Sequence, residues 1–380
     1  MICPLIALIT SQSPPPSLDP SRLVLAHDAL RQHVREGKIP GAVTLVMQGG
    51  KVVHFGTTGY LNVAQRTVLR KDSLFQVMSM TKPVTAIAAL IAVEQGLFGL
   101  DDPVENHLPQ LRDQVVRMPD GSTLPAKSRL TIRQLMTHTS GMSSDDPGGL
   151  TDDEKFKLPL LEYAKLLGKE PLRAHPGEEI RYSGVGFSAL AAIIERRSGK
   201  PFQTFVQEHI FDPLGMKDTY FFLPPGRRSE LATVYTMDSG KLVEFEHNRF
   251  REGARFANGA GGLYSTASDM GRLIDSFRSG ARHRVVSQPT LRLMTTLQTG
   301  SLLSDGNDAR GYGLGWSVIR SVRGQNTLRS VGSFGHTGAF GTEFWHDPAT
   351  GVSLVYLTQT FLVDETPRRQ FSTMVNASLR

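Results

Sequence analysis

The chain has 380 residues, 39% hydrophobic and 21% charged, with a net charge of +6; it can bury a large core, and no apolar run reaches the roughly 18 residues of a membrane span. The positive charge would suit a nucleic acid, but the basic residues fall in short scattered clusters ("GRRSE", "RFREGAR", "ARHR") without interleaved aromatics, which reads as solvated surface and excludes a strand-binding groove. A single cysteine, Cys3, permits no internal disulfide or cysteine cluster, and none of the 11 histidines lies in a His-Glu-x-x-His pattern, so no metal or other cofactor is expected.

In chain order, "MICPLIALITSQSPPPSLDP" has an apolar segment with no basic residue before it and no small-residue cleavage site. It does not read as a complete signal peptide, which favours the cytoplasm; a truncated signal would instead imply a periplasmic or secreted protein. Residues 1–23 are expected to be a tether or such a remnant, entering the first helix at "SRLVLAHDALRQHVREG". "GAVTLVMQGGKVVHFGTTGY" predicts a hairpin turning at Gly49-Gly50. From Val84 the apolar positions Val84, Ile87, Ala88 and Ile91 recur at helical spacing, and Gly96 is a stop. Pro83 is tolerated only in a first turn, so this helix begins close to Ser79.

Residues 96–309 then read as mostly helix and loop, including "TIRQLMTHTSG", "FSALAAIIERRSG", "FQTFVQEHIFDPLG" and "STASDMGRLIDSF". The "HTSG" at 138–141 reads as a helix end, with Thr131 and Gln134 as a capping box and Gly141 as the stop. Thr266 and Asp269 cap another helix, and "GAGGLYST" lacks the lysine of a phosphate loop. Strands return at "YGLGWSVI" and "GTEFWHDPATGVSLVYLTQ". The expected fold class is α+β: an antiparallel sheet built from about 24–95 and 310–376 and flanked by helices, with a mostly helical insertion at about 96–309, all within one catalytic domain of residues 24–376.

Three short motifs carry the chemistry. Ser79 and Lys82 stand one helical turn apart at the positive end of a macrodipole, where a serine hydroxyl can be activated by a neutral amine. Burial and the same helix end both disfavour the ammonium form. A Ser-x-x-Lys tetrad also arises by chance, and its ordinary reading is a capped helix with a surface lysine. Tyr182 lies in a glycine-bearing loop ahead of an apolar helix, where a tyrosine is ordinarily a packed aromatic. His336-Thr337-Gly338 is expected at the entrance of a strand, with Gly338 allowing close backbone approach and the Ala339 N–H free to face an oxyanion. The Gly-x-Ser-x-Gly elbow of α/β-hydrolases is absent.

Taken together, Ser-x-x-Lys, then Tyr-Ser-x, then His-Thr-Gly, with "LFQVMSMTKPVTA", "LTIRQLMTHTSGM", "HPGEEIRYSGVGFS" and "GHTGAFGTEFWHDP" around them, resemble the serine beta-lactamase and penicillin-binding-protein superfamily. Within it the closest likeness is to the class C beta-lactamase group that includes the family VIII carboxylesterases, over residues 24–376. The resemblance implies a beta-lactamase-like fold, Ser79 as acylated nucleophile, Lys82 and Tyr182 as proton carriers, and the N–H groups of Ser79 and Ala339 as the oxyanion hole. His336, Gly338 and Gly184 would touch substrate. Gly184 stands where beta-lactamases have Asn, and His336 where they have Lys, so groups serving anionic, peptide-like substrates are missing. A serine carboxylesterase acting on small neutral esters is expected. The alternatives are a beta-lactamase, a D,D-peptidase or D-aminopeptidase, an acyltransferase, and a non-catalytic binding protein on the same fold.

Overall fold

The computed structural model describes residues 16–304 and 308–380. The segment read as the start of a tether or truncated signal lies largely outside the described residues.

Helix α1 (Pro20–Arg35) opens on Asp19, whose carboxylate accepts the Ser21 N–H at 2.9 Å, with Pro20 in the first turn where it costs no hydrogen bond. Strand β1 (Gly41–Gln48) turns through Gly49 and Gly50, both at positive φ, into β2 (Lys51–Asn62); such a two-residue turn matches the twist of its strands. A short β3 (Thr67–Val68) extends the edge. From the far end of the chain come β4 (Arg310–Tyr312), β5 (Ser317–Ile319), β6 (Phe334–Thr337), β7 (Glu343–Asp347) and β8 (Val352–Leu357). The eight strands run in the order β4-β5-β6-β7-β8-β1-β2-β3, every pair antiparallel. Val43 lies opposite Leu357 where the two chain ends meet.

Alternation along the central strands divides the core. Ala42, Val46, Leu354 and Tyr356 face a layer formed by α1 and the C-terminal helix Thr366–Asn376. Val43, Leu45, Val355 and Leu357 face the opposite layer, which contains the larger core. There lies α2 (Thr81–Glu94), buried on every side over Thr81–Ala92 and packed against α3 (Gly184–Ser198). A helix apolar all round belongs in a core. Helix α4 (Ala267–Asp275) is capped by Thr266 as expected, while Asp269 turns away to accept the Asp218 N–H and the Thr219 hydroxyl.

Two sequence expectations shift. The capping box of Thr131 and Gln134 is present, but the helix ends at Met136, well before Gly141; His138 itself takes the left-handed conformation, φ +57°. His336 and Thr337 close a strand instead of opening one, because the turn that follows uses Gly338 and Gly341.

The first described residues are tied to the C-terminal segment. Ser17 and Arg380 exchange backbone hydrogen bonds of 3.1 and 3.0 Å, and the Asp19 N–H donates to Ser378 at 2.9 Å. No helix among the described residues is long and apolar enough to cross a membrane.

Candidate active site

Ser79 sits in a single 3-10 turn, Met78–Met80, that runs directly into α2. Met78, the residue before it, is held at φ +50°. A left-handed non-glycine costs on the order of 1–2 kcal/mol, and such strain persists only where surrounding contacts impose it. One contact that imposes it is Gly338: a β-carbon there would collide with the Val77 carbonyl and the Thr342 hydroxyl. The Thr342 hydroxyl donates to that same carbonyl at 3.0 Å. The β6–β7 turn is thereby pressed onto the Ser79 turn. Neither the Ser79 nor the Ala339 N–H finds an acceptor among the described residues.

Lys82 is 2% exposed, its Nζ 2.9 Å from the Ser79 Oγ and 2.8 Å from the Ala260 carbonyl, to which it donates. Burial lowers its pKa from 10.5 to about 7, so near neutrality a large fraction is the free amine. The Tyr182 ring centroid is 4.7 Å from the same nitrogen. Tyr182 is 40% exposed toward the cleft, yet packing around its hydroxyl pushes its pKa up to about 12, partly offset by a hydrogen bond with the Ser79 side chain. The phenol, not the phenolate, is therefore the resting form.

His336 is buried on β6 with its ring centroid 6.2 Å from that of Tyr182. Its Nδ1 lies 2.7 Å from the Thr337 carbonyl, which can only accept, so the proton resides on Nδ1. Burial and the nearby Lys82 bring its pKa down to about 3; the ring is neutral across the physiological range. Gly184 opens α3, and a β-carbon there would touch only the Ala260 methyl, at 3.6 Å. The position is open space.

Ser79, Lys82, Tyr182 and Gly184 line a cleft of about 730 Å³ whose apolar wall is Phe156, Phe245, Phe340 and Phe361. Phe245 and Phe361 pack at 4.6 Å between centroids. On the other side of Tyr182 is a polar recess of about 300 Å³, lined by Arg310, Tyr312, Ser317, His336, Thr337 and Trp345. The Arg310 guanidinium lies 5.8 Å from the Trp345 ring centroid and has no acceptor among the described residues. The structure thus brings together all the residues singled out in the sequence: Ser79, Lys82 and Tyr182 in direct contact, His336 and Gly184 beside them, and the Gly338–Ala339 turn against the Ser79 turn. Sequence reasoning missed the aromatic wall, the Ala260 carbonyl and Arg310. They come from separate segments with no shared spacing, and only the glycines around Ala260 gave a signal. Among the described residues no group of three or more His, Cys, Asp or Glu side chains could hold a metal ion.

The beta-lactamase family model matches residues 26–374. An uncharacterised protein of Mycobacterium tuberculosis is 30% identical over 368 residues, 87% of this chain and 88% of its own length. Esterase EstB of Burkholderia gladioli is 29% identical over 375 residues, covering 90% of this chain and 92% of the relative. The solved structure of EstCE1, described as a hydrolase with promiscuous acyltransferase activity, superposes with a TM-score of 0.82 at 24% identity over 94% of this chain and 99% of that one, a likeness of fold. With its match spanning nearly the whole sequence, the chain belongs to the beta-lactamase family and is a serine hydrolase of that fold.

Proposed function

We propose that the protein is a serine carboxylesterase working through an acyl-enzyme on Ser79, with small neutral esters as its substrates. The observation that carries this reading is the buried Lys82 amine, 2.9 Å from the Ser79 hydroxyl and with a pKa near 7. An amine so placed accepts the serine proton as Oγ attacks the ester carbonyl. The N–H groups of Ser79 and Ala339, without an acceptor among the described residues, receive the oxygen that becomes negative. Tyr182, protonated at rest, donates its phenolic proton to the departing alkoxide and regains one from the Lys82 ammonium. Water then attacks the acyl-enzyme with the same two groups acting in reverse, and Ser79 leaves protonated. A lysine shifted down and a tyrosine shifted up in one site is the pattern expected of a base and an acid with divided roles.

The aromatic wall supports a neutral, apolar acyl group, as does a His336 that carries no charge. The similarity to an esterase over 90% of the chain points the same way. Arg310 favours a second reading, a carboxylate-bearing beta-lactam or D-alanyl peptide, because its guanidinium, without an acceptor among the described residues, lines the recess next to Tyr182 and His336. Intact-mass measurement after brief exposure to p-nitrophenyl butyrate should show a butyryl adduct on the wild type and none on Ser79→Ala. Turnover of nitrocefin comparable with that of the ester would put the second reading first, and the absence of any adduct would reject both.

A further inference from the structure

His138 belongs to none of the proton transfers above, yet it is 1% exposed, adopts a left-handed backbone and lies against Tyr182. Histidine, with Asn and Asp, is among the few side chains that enter this conformation with any frequency. Three contacts converge from it on the Tyr182 loop. Its carbonyl accepts the Arg181 N–H at 2.7 Å. Its Nδ1 accepts the Ser183 N–H at 3.0 Å. Its ring stacks on the Tyr182 ring at 4.3 Å between centroids, inclined by 29°. The residues before, at and after Tyr182 are each held by a different part of one side chain and backbone.

The segment that follows continues the grip: the Thr139 carbonyl accepts from Gly177 at 2.8 Å, and the Gly141 carbonyl from Arg173 at 2.7 Å. The Ser183 hydroxyl donates to the Ser143 carbonyl at 2.6 Å. Residues 138–143 therefore form a cradle laced to the loop carrying Tyr182. Because Nδ1 accepts a backbone N–H, the ring proton sits on Nε2, which has no partner among the described residues. A buried donor left without an acceptor costs on the order of 1–3 kcal/mol, a cost that a purely structural position would avoid with an apolar ring. Burial, and the positive field of Lys82, hold the ring neutral. The Nδ1 lone pair thus stays available to the Ser183 N–H.

We propose that His138 is a positioning residue that fixes the Tyr182 hydroxyl against Ser79, its Nδ1 and carbonyl setting the backbone of the Tyr182 loop and its ring setting the tilt of the phenol. The inference rests on Tyr182 being the proton donor to the leaving group. Phenylalanine at 138 keeps a ring and loses the acceptor; asparagine keeps an acceptor at the same bond distance from the backbone, tolerates the left-handed conformation and loses the ring.

The test is a double-mutant cycle read as kcat and KM on p-nitrophenyl butyrate, with Tm recorded for each variant. His138→Phe should lower kcat by about 30-fold or more with KM changed little, the size expected for misplacing a reacting group by about an ångström. His138→Asn should retain kcat within about fivefold of wild type, as the conservative rescue. In a Tyr182→Phe background both substitutions should cost less than about twofold, because the group they position is gone. Should His138→Phe fail to fold, His138→Ala, which removes ring and acceptor without adding bulk, enters the same cycle with the same expected pattern. A kcat loss that repeats in full in the Tyr182→Phe background would overturn the inference while leaving the esterase mechanism standing, as would an Asn variant no better than Phe. Near-normal turnover in Tyr182→Phe alone would instead overturn the proton-relay reading, and this inference with it.

Discussion

At the residue scale, the site depends on one lysine being kept in the wrong medium for its charge. Lys82 has 2% exposure, no carboxylate partner among the described residues and a pKa near 7 in place of 10.5. Two outcomes follow from that shift, with the sign fixed by linkage. In the proposed mechanism the free amine is the reactive form, so kcat/KM on p-nitrophenyl butyrate should rise with pH through about 7, and the Tyr182 value near 12 puts any loss of the proposed acid outside the working range. For stability, the unfolded chain binds the lysine proton up to about pH 10 and the folded chain releases it near 7, so wild type should gain stability as pH rises across that interval. Lys82→Met should lower turnover by about two orders of magnitude or more, keep or raise Tm at pH 7, and abolish the gain in Tm between pH 7 and 10. A Met variant markedly less stable than wild type would mean that the bonds to Ala260 and Ser79 outweigh the burial of the amine.

At the element scale, the functional turns are held by contacts between pieces of chain that are remote in sequence. Gly338 lets the β6–β7 turn rest on the Val77 carbonyl, just before the left-handed Met78. Gly338→Val should separate the Ala339 N–H from the Ser79 turn and reduce kcat by about 100-fold, the usual cost of one oxyanion donor, while leaving KM close to wild type. Stopped-flow measurement of the acylation step would locate the loss. The same scale explains what could be read in the sequence. The first hairpin, α1 and α2 were legible because period 2, period 3.6, the Gly49-Gly50 turn and Pro83 all act over a few residues. The Ser79, Tyr182 and His336 motifs pointed to the family as a set, through resemblance, although each alone had an ordinary reading. In the sequence His138 reads as part of a helix end because its partners, Arg181 to Ser183, lie more than 40 residues away. Phe156, Phe245, Phe340 and Phe361 come from four separate segments, and no local pattern joins them.

For the whole molecule, the sheet is completed by strands from opposite ends of the chain, and its C-terminal half is fixed by a buried ion pair. Arg329 and Glu343 are 2% and 4% exposed at the side chain and meet at 2.7 Å, with the Ser372 hydroxyl of the C-terminal helix accepting a second bond at 2.6 Å from the same guanidinium nitrogen. The Arg329 guanidinium also stacks 4.1 Å from the Trp345 ring centroid. Removing one member strands a buried charge, so Arg329→Met should destabilise the fold by about 3–5 kcal/mol, whereas the double replacement Arg329→Met with Glu343→Leu should recover most of it. Urea unfolding followed by tryptophan fluorescence reports both, since Trp345 lies at the pair. Equal stability of the single and double variants would show that the pair contributes nothing specific. Turnover per folded molecule should stay near wild type in each, because neither residue touches the cleft.

The ladder between Ser17 and Arg380 means that the cyclic order of elements matters to this architecture more than where the polypeptide happens to be cut. A short linker joining residue 380 to residue 16, with new ends opened at the exposed Asp120–Gly121 tip of the hairpin between Val115–Arg117 and Thr123–Pro125, would yield a circular permutant in which α1 and the C-terminal helix are contiguous. Such a topological isomer would dissociate the order in which the parts are synthesised from the geometry in which they operate.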